Sequence, residues 1–110
     1  MVKGKVKKII SFLEGSLRKN RLHVSKIVLF GSQAAGKASA ESDIDLVIVS
    51  EDFRGRDIFE RVRLIKEAEI MTIKKFMVPL DIITLTPEEF ESGTSLVSDY
   101  IKGGEAVYQA

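Results

Sequence analysis

From Val2 to Lys19 the apolar residues Val2, Val6, Ile9, Ile10, Leu13 and Leu17 recur at three- and four-residue intervals, with Lys and Arg between them. That repeat predicts an amphipathic helix over 2–19 with one buried stripe. The period then changes. Ile27-Val28-Leu29-Phe30 is an unbroken apolar run stopped by Gly31, and Ile44-Asp45-Leu46-Val47-Ile48-Val49-Ser50 is a second. Short β-branched runs of this kind predict buried strands over 26–31 and 44–50. Only residues 32–42 separate Gly31 from Asp43, too few for a parallel crossover, so the two strands should return antiparallel or irregularly.

After a loop over 51–56, Ile58, Phe59, Val62, Ile65 and the Ala68-Glu69 turn predict a second helix running to about Lys75. This helix should bridge the second strand to a third, 80–85, opened by Pro79. Thr86-Pro87-Glu88-Glu89 has the chemistry of a helix start: a hydroxyl cap, Pro at the first position and acids in the first turn. A short helix near 95–102, stopped by Gly103-Gly104, and a last strand at Ala106-Val107-Tyr108 complete the reading. The predicted fold class is α/β, one domain over 1–110, with a small mixed sheet of three to four strands and helices packed against it.

Composition narrows the chemistry. With 45% hydrophobic and 30% charged residues the chain is globular in type. No cysteine occurs and His23 is the single histidine, so thiolate or imidazole metal clusters are excluded and any metal must sit on carboxylates. The apolar run at Ile9-Ile10-Ser11-Phe12-Leu13 is too short for a signal peptide, and nothing approaches the roughly 18 apolar residues of a membrane span. A cytoplasmic location is the expectation.

Charge is split along the chain. Residues 1–40 hold nine Lys/Arg against Glu14 alone, a balance of +8, and residues 41–110 hold eight against fifteen acids, −7, which sum to the net +1. The basic segment reads as a solvated helix face rather than a nucleic-acid surface, and the split suggests an electropositive side for anionic ligands, or self-complementary or heterotypic association.

Two acids at the head of an apolar strand need a reason. On a strand, residues i and i+2 share a face, so Asp43 and Asp45 project together. Paired carboxylates that lose hydration there are costly unless a cation compensates. Asp81 stands at the same kind of position in the third strand, and three carboxylates meeting at one edge would suit two Mg²⁺ or Mn²⁺ ions about 3.5–4 Å apart. Gly31-Ser32 offers a close backbone approach and a hydroxyl for a phosphate. A competing motif is the P-loop, since Gly31 to Lys37, GSQAAGK, matches its first seven letters. The eighth, Ala38, lacks the hydroxyl that the P-loop places on Mg²⁺, and too few residues follow for its helix.

Gly31-Ser32, then Ser42-Asp43-Ile44-Asp45-Leu46, then Asp81 on a later strand resembles the minimal nucleotidyltransferases of the DNA-polymerase-beta-like superfamily. The resemblance implies that fold, ATP as donor and two Mg²⁺ ions. It also implies Asp43, Asp45 and Asp81 as catalytic metal ligands, and Gly31, Ser32 and Lys37 as the nucleotide-binding turn. Small members of that family resemble the antitoxin half of two-gene modules whose partner is a HEPN-domain toxin, and the resemblance implies transfer of AMP to a tyrosine of such a toxin. The turn departs from relatives that read Gly-Ser-x-Ala-Arg-Gly: Ala35 replaces the Arg and Gln33 stands at a frequent Arg position. A bidentate grip is thereby lost, with Lys37 available only as a point charge.

The rival reading is a binding module of the same fold that neutralises its partner by occlusion. A transferase acting on a small-molecule hydroxyl would need a deeper acceptor pocket, which a homodimer could build. His23, in a polar linker, reads as a surface residue. Phe53, Phe76, Phe90, Tyr100 and Tyr108 read as core or interface as readily as base stackers.

Overall fold

The computed structural model describes residues 4–31, 43–92 and 104–110. The chain runs α1 (Gly4–Lys19), β1 (Val24–Phe30), β2 (Ile44–Ser50), a 3-10 turn (Glu51–Phe53), α2 (Ile58–Phe76), β3 (Leu80–Leu85), α3 (Pro87–Ser92) and β4 (Glu105–Gln109). The sheet order is β3-β2-β1-β4. β1 lies antiparallel to β2 and β4, and β2 lies parallel to β3 with α2 as the crossover that a parallel pair needs. This is the mixed sheet the pattern predicts.

The differences are local and have causes. β1 starts two residues before the apolar run because Val24 pairs with Ser50, across an irregularity between Val24 and Lys26. Gly31 lies beyond the strand, at φ +72°. The predicted loop over 51–56 contains a 3-10 turn that Ser50 caps: its buried hydroxyl donates to His23 O at 2.7 Å and accepts from Asp52 N at 3.1 Å. Phe53 in that turn is fully buried. His23 stands exposed beside Asp52, in accord with a surface role. The helix expected near 95–102 and Tyr100 lie outside the described residues.

Alternation along the central strands makes two cores. Ile27, Leu29, Ile44, Leu46 and Ile48 face the helices and pack with Ile9, Leu13 and Leu17 of α1 and Ile65 and Ala68 of α2. Each Ile or Leu among them contributes about 1.5–3 kcal/mol by leaving water. Val28, Phe30, Val47, Val49 and Leu85 form a smaller cluster on the other face, with Ile83 and Phe90 against it. Phe90 is brought there by α3, whose start is a reciprocal cap: Thr86 Oγ1 accepts from Glu89 N at 3.1 Å, and Glu89 Oε1 accepts from Thr86 N at 2.8 Å. Phe12 and Phe76 close the α1–α2 contact edge to face at 5.8 Å.

One expectation is corrected. The spacing puts Ile58, Phe59 and Val62 in the stripe of α2 with Ile65, yet the buried residues of α2 are Ile65, Ala68 and Thr72, and Ile58, Phe59 and Val62 are exposed. The true start of α2 is set by Asp57, whose side chain accepts from Glu60 N at 2.8 Å while Glu60 Oε1 accepts from Asp57 N at 2.9 Å.

Both long helices end on a non-glycine residue in the left-handed region. At the end of α1, Arg21 has φ +65°, with Arg21 N donating to Arg18 O and Leu22 N to Leu17 O, both at 3.0 Å. That is the Schellman pattern, which glycine favours. Met77 ends α2 in the left-handed region too, at φ 55° and ψ 39°, with the simpler cap in which Met77 N donates to Ile73 O at 2.7 Å. Left-handed backbone costs a side-chain-bearing residue about 1–2 kcal/mol, and glycine returns about 0.4–1 kcal/mol of that as unfolded-state entropy. Arg21→Gly should therefore stabilise the fold by about 0.5–1 kcal/mol; a lowered midpoint in thermal unfolding would contradict this account of the cap.

Candidate active site

The site lies where β1 ends and β2 and β3 begin. The ladders place Asp45 opposite Phe30 of β1 and beside Asp81 of β3. Neighbouring strands are about 4.8 Å apart, so the two aspartates are adjacent across the parallel pair. Ile44 N donates to Pro79 O at 3.0 Å, locking the start of β2 to the segment that leads into β3. Asp45 and Asp81 project from the face opposite the helices, as the burial of Ile44 and Leu46 in the helix-covered core requires. Asp43, two residues before Asp45, shares that side and is exposed.

Gly31 belongs to the same constellation. A Cβ built on it would run into Asp45 Oδ2, with Asp45 Cγ 3.2 Å away. The positive φ and this contact both call for glycine. The Gly31 backbone therefore sits against the Asp45 carboxylate.

Several acids elsewhere in the chain are paired with arginine. Arg54 grips Glu88 through two hydrogen bonds, Arg61 binds Glu89 at 2.7 Å and Arg18 faces Glu14. Among the described residues no basic group pairs with Asp43, Asp45 or Asp81. Burial pushes the half-buried Asp45 carboxyl above the ordinary aspartate range, and the charges of Asp81 and Asp43 push it the same way. Glu69, half-buried on α2, is raised by burial and then by Asp81. This influence of Asp81 could not be read in the sequence, because the packing of α2 beside β3 is tertiary. The one local signal of Glu69 is its place in the helix, one residue after buried Ala68 and three before buried Thr72.

The donor set is all oxygen. Among the described residues no three acid or imidazole side chains converge into a single cation-binding group, so the three-carboxylate cage that the sequence suggests is not closed. Mg²⁺ needs less: one or two carboxylates, with water and substrate phosphates completing the shell. Asp45 and Asp81 fit that requirement, with Asp43 alongside. Ser32, Gln33, Ala35 and Lys37 lie outside the described residues. The P-loop alternative fails on topology, because β2, the next strand, pairs antiparallel with β1, whereas a P-loop strand belongs to a parallel strand–helix–strand unit.

The sequence matches the family model described as "Nucleotidyltransferase domain" over residues 5–106. No curated protein matches the chain. Among solved structures, a toxin-antitoxin complex with AMP-PNP contains a chain 21% identical, at a TM-score of 0.64 over 94% of this chain and 73% of that one. A protein described as a minimal nucleotidyltransferase is 22% identical, at a TM-score of 0.58 over 96% of this chain and 94% of its own. The BolA domain of SufE1 from Arabidopsis thaliana reaches 0.55 at 23% identity, over 81% and 99%. At such identities these likenesses speak for the fold. The BolA likeness shows that this framework also occurs in a protein that is not described as a nucleotidyltransferase.

Two substitutions test the geometry. A carboxyl raised on folding favours the protonated form, so its contribution to stability rises as pH falls through the raised value and declines as pH rises through it. Asp45→Asn should accordingly stabilise the cation-free protein at neutral pH by about 0.2–1 kcal/mol, the scale of a like-charge cross-strand pair. Millimolar Mg²⁺ should raise the melting temperature of the wild type and leave that of Asp45→Asn unmoved. Gly31→Ala should cost about 1–3 kcal/mol through strain and the collision with Asp45; a neutral effect in denaturant titration would refute the contact.

Proposed function

The chain belongs to the nucleotidyltransferase domain family, and from that premise we propose that it transfers AMP from ATP to a hydroxyl of a partner protein, a tyrosine of a HEPN-domain toxin, and so acts as its antitoxin. The observation that carries the reading is the parallel register of Asp45 with Asp81 beside the Gly31 backbone, inside a family match that spans the site. The structural likeness to a toxin-antitoxin complex with AMP-PNP supports the choice of partner and donor.

In this mechanism Asp43, Asp45 and Asp81 would hold the divalent cations, which when bound would neutralise the triphosphate and lower the pKa of the acceptor hydroxyl. Gly31 and Ser32 bind the phosphates, with Lys37 as a countercharge. Asp81, which is exposed, accepts the proton as the acceptor oxygen bonds to the α-phosphorus. The bond from that phosphorus to the bridging oxygen breaks, and pyrophosphate departs with the electron pair. Asp45, half-buried and pressed by Gly31, keeps a fixed orientation and serves as the positional reference for the phosphates.

One observation favours the rival, a module that neutralises its partner by occlusion: the three acids do not close into one group among the described residues. The two readings separate in one experiment. The purified protein is incubated with labelled ATP and Mg²⁺, with and without the toxin, and the intact mass of both chains is measured. Addition of one adenylyl unit to the toxin is expected, abolished in Asp45→Asn, with a loss of several orders of magnitude in rate. A tight complex with no added mass on either chain would replace transfer with occlusion.

A further inference from the structure

Residues 1–40 hold a single acid, Glu14, among nine Lys/Arg, and among the described charged residues it alone is buried. It is 9% exposed and belongs to the stripe of α1 that meets the core, with Ile10, Leu13 and Leu17. A buried carboxylate is unfavourable unless a cation or hydrogen bonds compensate it. Among the described residues its one charged partner is Arg18, whose Nη2 stands 3.6 Å away on a side chain that is 74% exposed. That separation is too long for a hydrogen bond, and an i, i+4 pair open to water is weak. Compensation of Glu14 is therefore incomplete.

Between α1 and the edge strand β4 lies a cavity of about 350 Å³, lined by Glu14 together with Ile10, Ser11, Val107 and Tyr108. Lys7 and Glu105 also line it; both are exposed and they cancel in charge, so Glu14 sets the net charge of the wall. Glu14 and Tyr108 line a second cavity as well, of about 330 Å³, toward Arg18. Glu14 thus borders a cavity on two sides, where a buried acid ordinarily meets donors.

The chemistry of the wall selects the ligand. The first cavity has the volume of a small-molecule site. Ile10 and Val107 offer apolar surface to an aliphatic stem, and Tyr108 is an aromatic residue of the kind that attracts cations. A metal ion fits poorly, because Ca²⁺ takes about six to eight oxygen ligands and Mg²⁺ an octahedral shell, whereas one buried carboxylate stands here. We propose that the cavity binds a small organic cation, a guanidinium or ammonium group on a short aliphatic stem, with Glu14 as its counter-charge. The cavity lies on the helix side of the sheet and uses none of the residues assigned to transfer.

An amide-resolved NMR titration of the full chain with n-butylguanidinium, and with its neutral isostere n-butylurea, tests the assignment. The cation should bind with a dissociation constant of about 1 mM or tighter, the range open to a ligand of about eight heavy atoms, and should move the amides of 7–14 and 105–108. The urea should bind at least about tenfold more weakly. Glu14→Gln should erase that preference. Ser11→Leu, at an exposed helix position, should fill the cavity and block the cation with Glu14 still in place, which keeps the test decisive even where Gln at 14 disturbs the fold. Absence of shifts at about 10 mM cation, equal binding of the urea, a preference that survives in folded Glu14→Gln, or undiminished binding in Ser11→Leu would each overturn the proposal.

Discussion

The backbone ladder of β2 is the constraint on which everything else rests. It is the one strand bonded to β1 on one side and β3 on the other in opposite senses, and its residues Leu46 to Ser50 are buried on both faces. A slip of one residue would move Ile44, Leu46 and Ile48 out of the helix-covered core and send Asp45 into it. The apolar burial of alternate residues therefore holds the carboxylate in place.

That placement works against the local electrostatics. Two acids beyond the far end of β3 are tied to arginine: Glu88 to Arg54, Glu89 to Arg61. Glu89 is held below its usual range, against the upward push of burial, by the Thr86 backbone and Arg61. Asp45 is pushed the other way. Core packing over both faces of the sheet holds the conflict in place, and a ligand with positive charge would relieve it.

Much of the fold was legible because strands and helices leave different periods. β2 and β3 have the bounds that the apolar runs 44–50 and 80–85 indicate, since each ends where pairing partners run out. β1 extended earlier because Val24 pairs across a bulge that no local residue announces. In α2 the period was right and the buried side was misread: Phe59 and Val62 belong to a second apolar stripe, and spacing alone cannot say which of two stripes meets the sheet. Asp43, Asp45 and Asp81 were readable as acids out of place in apolar runs. Glu69 was not, because an acid at the border of a helix stripe is ordinary until the edge of β3 is seen to lie beside it.

β3 stands at the end of the sheet order, and among the described residues no strand pairs with its outer edge, where an extended chain could add a strand. Proline cannot donate to such a ladder, and an acid on the edge repels a copy of itself. Pro79 and Asp81 flank the first residue of β3, so a residue proposed for the chemistry also caps growth of the sheet. On the proposed function, solubility and reactivity would thus draw on one carboxylate, and a lineage without the reaction would still have reason to keep the charge.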